Sequence, residues 1–575
     1  MPGKIAVLTL LASLLLVCSA AGAGRIPDDV GARARRQNSG DLLRPVSELL
    51  RARMEAAAAG HAIEAAGGLV HAETSLQNLY ESRGFNPMWI AGSGPSVLAD
   101  SLLAYVRTVG REGLRPSDYH LAAAERGLAA ARLGASTGTP DVAQLVDLEL
   151  LLTDAYLLCA SHSLAGRLNP ETIDPEWFAA RRGADFARIA DQAVSSGRVR
   201  RSLEELLPRQ PGYASLREAL ARYRGVAENG GWPEVPAGQT IKPGESGSRV
   251  ADLRTRLEAT GDVDATAGAR DSFDVALEAA VRRFQERHGL EIDGAVGRTT
   301  LAALNVSAAD RADQIAVNME RWRWLPESMG PTHVLINIAA FSLEAARADT
   351  PSLRMKVIVG RTYRRTPVFS DRITYMVLNP SWEVPDRIAV ADVLLEARKD
   401  STYFQRMNMR VLRGWGDSEV EVDPSAVDWS SVPTRPFPFR FRQNPGPANA
   451  LGTVKFMFPN KFNVYMHDTP ARGLFAKAER AFSSGCIRVE RPLDLAEFLM
   501  RGDARWSRDR ISSAMASGNQ QTVLLPEPVP IHVTYSTVWV DDGEVHFRGD
   551  IYGRDALVLA ALAEPPPEAD DVFIE

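Results

Sequence analysis

Two residues in this chain have the chemistry for nucleophilic catalysis: Cys486, in AFSSGCIRVE (481–490), and His467, in NVYMHDTP (463–470). A cysteine nucleophile attacks as its thiolate. It therefore needs a base for its proton and donors for the oxyanion that forms on the attacked carbonyl. Free cysteine is more often a small buried hydrophobe than a nucleophile, so the surroundings must decide. The chain has three cysteines. Cys18 follows an apolar N-terminal run, and Cys159 lies in LLTDAYLLCASHSL, an apolar helical stretch that reads as core. The N-terminus reads as an export signal over 1–23, with Lys4, the apolar run 5–17 and the small-residue site AGA (21–23). That run is short for a membrane span. The chain is expected to be exported and periplasmic; an uncleaved signal or a lipid on Cys18 are the variants that would anchor it. Cys486 is then the unpaired cysteine of an exported protein, a candidate reactive thiol.

The local pattern suits that chemistry. A strand over 463–466 places His467 at a strand end. Pro470 and Gly473 turn the chain, LFAKAERAF (474–482) returns it as a short helix or loop, and Cys486 sits on the turn before a short strand, IRV. Groups at the ends of neighbouring strands can meet within hydrogen-bond reach. Gly485 lets the backbone approach a ligand closely, and the amides of Gly485 and Cys486 can face an oxyanion. Pro492 opens a helix over RPLDLAEFLMR.

The elements that must position these residues fall into blocks. At roughly 100–200 residues per domain, 575 residues imply three or four domains. A net charge of −6 gives no support to a nucleic-acid partner, and none is expected. The basic run RTYRRTP (361–367) reads as a solvated face. Residues 24–70 read as a linker with some helix, and 71–234 as a helical scaffold with apolar residues at three- and four-residue spacing. The Pro/Gly-rich VPAGQTIKPGESG (235–247) marks a boundary. A compact unit of three helices follows over 238–308. Ala280, Val281 and Phe284 share one apolar face, a turn falls at Asp293-Gly294, and Thr299–Leu304 form a short last helix.

From 315 to 553 the texture is mostly β, as in HVLINIAAFSLEAA, RMKVIVG and RITYMVLNPSWEVP. Residues 386–445 interrupt it with a helical stretch and a Pro/Trp-rich loop, too long for a bare connection, and read as an inserted lid. Asp542-Gly543 suits a tight hairpin turn. The acidic, Pro-rich 554–575 reads as a disordered tail. The fold class is multidomain α+β. His333, His532 and His546 have no metal-ligand spacing and read as structural; neither metal nor cofactor is expected.

Two stretches resemble known families. GSRVADLRTRL, AVRRFQERHGL and DGAVGRTTLAAL resemble the three-helix peptidoglycan-binding domain, which implies wall anchoring or a spacer that has kept the fold alone. HDTPARGLFAKAERAFSSGCIRVERP resembles the signature of the L,D-transpeptidase catalytic domain: a histidine, a gap, then Ser-x-Gly-Cys, a hydrophobic residue and Arg or Asn. KVIVGRTYRRTPVFS, VLNPSWEVP and PGPANALGTVKFMFPN match as well, and the domain order resembles the long periplasmic form. The commoner motif has histidine where Ser484 stands.

The resemblance implies that Cys486 attacks diaminopimelate at the third position of a tetrapeptide stem. D-alanine leaves and a second stem's amine resolves the thioester into a 3→3 cross-link. His467 would take the proton and lower the thiol pKa as an ion pair, oriented by a backbone carbonyl, with Asp468 as the candidate. Arg488 holds a substrate carboxylate or braces the loop. Trp382 and Tyr465 line the donor groove or belong to core and rim. Ser483 and Ser484 donate near the thioester or close the turn. Partners are donor and acceptor stems on the periplasmic face of the wall, with carbapenem-type β-lactams as inhibitors. The alternatives are an L,D-carboxypeptidase, lipoprotein attachment through the same acyl-enzyme, and a non-catalytic wall-binding scaffold.

Overall fold

The structure, a computed structural model, describes residues 29–566 except 60, 93, 179–181, 265–267, 349 and 401. The expected export segment with Cys18, and the last residues of the tail, lie outside the described residues. Among those described, no helix is long and apolar enough to cross a membrane.

The first correction falls on the linker. Helix α1 (Asp29–Ala58) runs through it. Leu42, Val46, Leu50 and Met54, four residues apart, are buried in the scaffold core alongside α2 (Val142–Ala165). The Asp141 side chain caps α2 by accepting from the Ala143 and Gln144 amides. Buried on all sides, Cys159 included, α2 is the scaffold's central helix. Helix α3 (Pro211–Glu228) ends this region. Helices α4 (Ser248–Ala259), α5 (Val275–Arg287) and α6 (Arg298–Leu304) enclose a separate small core of Val250, Leu253, Leu277, Val281 and Phe284. Helix α7 (Ala308–Arg323) then leads into the sheet, burying Ile315 and Met319 with Leu216 and Leu220 of α3.

The β domain opens with β1 (Thr332–Asn337), β2 (Ser342–Arg347), β3 (Thr350–Gly360) and β4 (Val368–Leu378). The insertion expected to act as a lid follows, with β5 (Trp382–Glu383), the helical stretch 386–399, β6 (Met409–Arg413), β7 (Val420–Val422) and β8 (Arg440–Gln443). The main sheet resumes with β9 (Val454–Met457), β10 (Met466–His467), β11 (Ala481–Ser483) and β12 (Ile487–Val489). Helix α8 (Pro492–Met500), β13 (Gln521–Thr534), the hairpin β14 (Val538–Asp541) and β15 (Glu544–Phe547), and α9 (Arg554–Ala563) complete the chain.

The main sheet runs β9-β10-β12-β3-β2-β1-β13-β4, with the scaffold segment Trp177–Phe178 pairing in parallel beyond β4, and β9 also pairs with β4, so the path closes on itself. One face of it packs Val454, Met466, Ile487 and Val489 into the core. The lid has its own four-stranded sheet, β5-β8-β6-β7, and its own core around Val393, Phe404, Trp429 and Phe441. The sequence reading took most of that sheet for a loop. Its outer positions carry ion pairs, Arg410–Glu421 and Arg442–Glu419 among them, which mask the apolar alternation.

The last correction concerns the tail. Residues 554–563 form α9, whose buried Arg554 pairs with Asp174 at 2.5 Å and Glu176 at 3.1 Å in the scaffold. The hairpin turn is as expected: Asp542 (φ 49°) and Gly543 (φ 78°) both take the left-handed region.

Candidate active site

Strands β10 and β12 lie side by side in parallel, pairing Met466 with Ile487 and His467 with Arg488. The Ile487 amide donates to the Tyr465 carbonyl at 3.0 Å, which continues the register one step back. Side chains alternate along a strand. Since Met466 and Ile487 point into the core, Tyr465, His467, Cys486 and Arg488 emerge together on the opposite face. On its other side β10 pairs antiparallel with β9, setting Lys455 opposite His467. A row of Lys455, His467 and Arg488 thus crosses three strands, with Cys486 and Tyr465 one step along it.

His467 is buried, and its Nδ1 lies 2.6 Å from the Asp468 carbonyl oxygen. A carbonyl can only accept, so Nδ1 carries the proton and Nε2 keeps its lone pair. The Asp468 carboxylate does not touch the imidazole. It accepts from the Thr453 amide and hydroxyl, each at 2.9 Å, and pairs with Arg472 at 3.0 Å. Burial, then the Arg488 and Lys455 cations on either side, push the imidazole pKa down to about 3. His467 is therefore a neutral base.

Burial likewise pushes the Cys486 thiol up; hydrogen bonding from Tyr465 and the charges of Lys455 and Arg488 pull it part of the way back. Among the described residues the acceptor of Sγ is distant, the Asn463 carbonyl at 3.9 Å. The resemblance implies an ion pair; burial, which raises the thiol and lowers the imidazole, instead favours a neutral thiol beside a neutral imidazole at rest. The cations, not an imidazolium, favour the thiolate.

The turn carrying Cys486 is fixed from several sides. Gly485 sits at φ 117°, a conformation that favours glycine. Its amide donates to Ser483 Oγ at 3.1 Å, so it is already spent. Ser483 Oγ in turn donates to the Cys486 carbonyl. The oxyanion expectation therefore narrows to the Cys486 amide, and Ser483 closes the turn. The 361–366 loop lies underneath. The Arg361 amide donates to the Ser483 carbonyl at 3.0 Å, and Thr366 Oγ1 donates to the Gly485 carbonyl at 2.9 Å. Tyr552, from the segment before α9, donates to the Gly360 carbonyl at 2.6 Å. A Cβ on Gly360 would collide with the main chain of residues 364–366, so glycine permits this approach. The solvated-face reading of RTYRRTP fails at Arg364, which is buried and bonds Ser484.

Among the described residues the Arg488 side chain makes no ion pair or hydrogen bond, and its Nε is buried without a partner. Burial and then the charge of another cation, Arg361, both push its pKa down. A partly buried guanidinium with no anion is costly unless one arrives. Trp382, on β5 at the root of the lid, faces the Tyr465 hydroxyl, which ties the lid sheet to the site. The sequence reading missed Lys455, whose Nζ lies 4.4 Å from the Tyr465 ring centroid. Its place in a strand-like run, VKFM, with one charge among apolar residues was the available signal. His532, bonded to Ser370 and the Met329 carbonyl, and His546, stacked on Trp539, are held in structural contacts.

Comparison with known proteins accounts for three blocks of the chain. Residues 74–220 match a scaffold domain, 246–304 a peptidoglycan binding domain and 331–512 the L,D-transpeptidase catalytic domain. A Haemophilus influenzae protein bearing the name L,D-transpeptidase is 36% identical over 248 residues, covering 43% of this chain and 49% of that protein. The chain thus spans about half the length of this relative. An N-acetylmuramoyl-L-alanine amidase of Mycobacterium tuberculosis is 36% identical over 80 residues, covering 12% of this chain and 20% of that protein. Among solved structures, an L,D-transpeptidase from Mycobacterium smegmatis aligns over 36% of this chain and 58% of its own, at 12% identity and TM-score 0.18. Residues 331–512 thus carry an L,D-transpeptidase catalytic domain, in a chain that also holds a scaffold domain and a peptidoglycan binding domain.

Proposed function

We propose that the protein is a cysteine-dependent L,D-transpeptidase that forms 3→3 cross-links in peptidoglycan. The observation that carries this is the shared face of β10 and β12. It gathers a thiol, a neutral imidazole with a free Nε2, a tyrosine and an unpaired guanidinium.

On this reading the Cys486 thiol gives its proton to His467 Nε2 as sulfur attacks the carbonyl joining diaminopimelate to the terminal D-alanine. The Cys486 amide receives the oxyanion, and Lys455 and Arg488 stabilise the negative charge. The carbon–nitrogen bond breaks, the imidazolium returns its proton to the departing D-alanine amine, and a thioester remains. The side-chain amine of an acceptor stem then attacks the thioester, loses a proton to His467, and the thiol is restored. Arg488, with no anion of its own, binds a stem carboxylate. Trp382 and Tyr465 line the groove. The peptidoglycan binding domain supports a site of action at the wall, on the periplasmic side of the membrane.

The test is acylation by a carbapenem, followed by intact mass and peptide mapping. One adduct per chain, on Cys486 and absent from Cys486→Ala, is expected. An adduct that persists in Cys486→Ala would remove Cys486 from the mechanism.

A further inference from the structure

Ser484 stands where the family more often has histidine, and the structure gives it a partner. Its Oγ accepts from Arg364 Nη1 at 2.8 Å. That same nitrogen donates to Asp392 Oδ2 at 2.5 Å, while Nη2 donates to Asp392 Oδ1 at 3.2 Å, a bidentate pair. Asp392 belongs to the lid. It lies in the segment Ala389–Val393, whose Ala389 and Val393 are buried in the lid's own core. Arg364 belongs to the loop beneath the nucleophile. Its side chain is 7% exposed, against 40% for Asp392.

A continuous set of bonds therefore leads from the lid core to the residue two places before Cys486. The loop around Arg364 is fixed independently, by Arg361 to Ser483 and by Thr366 to Gly485. The guanidinium is the part whose position depends on Asp392. A second strand of contact runs the same way: lid residue Arg387 donates to the Tyr363 carbonyl at 3.3 Å. Serine suits position 484 because a guanidinium already committed to a carboxylate needs a compact acceptor beside it.

We propose that Arg364 is a positioning residue that couples the seated lid to the nucleophile turn. Asp392 orients the guanidinium, the guanidinium holds Ser484, and Ser484 sets the turn on which the Cys486 amide and thiol are aimed. Lid closure and a competent oxyanion site are then one event. This rests on Cys486 being the acylated nucleophile.

The test compares carbapenem acylation rates of the full chain with those of Asp392→Ala, Ser484→Ala, the double variant and Arg364→Lys. Asp392 is partly exposed, so its alanine variant leaves the lid core intact. Each single alanine variant is expected to slow acylation ~10-fold, about the worth of one charged hydrogen bond. The double variant is expected to be no slower than the worse single, because both act through one guanidinium. Arg364→Lys, lacking the fork that reaches both partners, is expected to match the singles. Hydrogen exchange at amides 484–486 is expected to quicken in Asp392→Ala. Wild-type acylation by Asp392→Ala, or multiplicative losses in the double variant, would overturn the coupling. If the native chain is not acylated at all, the Cys486 reading fails, and the exchange measurement alone decides the coupling: unchanged protection refutes it.

Discussion

The electrostatics of Cys486 make a prediction that separates two kinds of cysteine site. A thiol held as an ion pair with imidazolium is already ionised at neutral pH, and its alkylation rate is flat there. Here burial raises the thiol and holds His467 near a pKa of about 3, so the resting thiol is neutral. Only the thiolate attacks iodoacetamide and displaces iodide, so the alkylation rate should climb about tenfold per pH unit between pH 6 and 8. The perturbation is Lys455→Met. Lys455 is half-buried, has no counter-ion among the described residues, and sits in register with His467. Removing its charge withdraws support from the thiolate, which raises the thiol pKa further. A shift of roughly 0.5–1 unit lowers alkylation three- to tenfold at every pH below the new value. The same change relieves His467 of a repulsive neighbour and raises its pKa, but from so low a start that it stays neutral at pH 7. Cys159 is wholly buried, so peptide mass spectrometry at Cys486 reads the rate cleanly. A plateau across pH 6–8 in the native protein, or unchanged alkylation in Lys455→Met, would refute the reasoning.

Three further outcomes follow from the geometry. His467→Gln should lower carbapenem acylation about 10²–10⁴-fold, measured in single turnover, while iodoacetamide alkylation at fixed pH changes little, since imidazole is needed for proton transfer and not for the resting state. Gly452→Ala places a Cβ against the Asp468 carboxylate at a φ of 60°; displacing Asp468 moves the carbonyl that fixes the His467 tautomer, so acylation should fall without a comparable loss in melting temperature. Arg554→Met leaves Asp174 buried without its partner and should cost about 3–5 kcal/mol in denaturant unfolding.

Much of the site was legible because its signals are local. Gly485 before Cys486 marks a turn, and His467 after an alternating apolar run marks a strand end; the structure puts both in those places. The three-helix unit and the Asp542-Gly543 hairpin were legible for the same reason, since periodicity and turn chemistry are written in adjacent residues. What escaped depends on distant pairing. Arg364 looks like one cation in a basic run until Asp392 and Ser484 close around it. Lys455 acquires meaning only through its register with His467. Gly485 offered an amide to an oxyanion until Ser483 Oγ took it. The tail reads as acidic and Pro-rich in composition, yet its first ten residues form a helix because Arg554 finds two carboxylates in the scaffold nearly four hundred residues earlier.

The central claim, that Cys486 carries a stem peptide as a thioester and passes it to an amine, is tested most directly with the substrate itself. Native protein and Cys486→Ala are incubated with purified disaccharide-tetrapeptide, and protein and products are followed together by mass spectrometry. The account predicts a transient tripeptide adduct on Cys486, one D-alanine released per cross-linked dimer formed, and neither in Cys486→Ala. Dimer formation by Cys486→Ala, or D-alanine release by native protein that yields only free tripeptide, would contradict it.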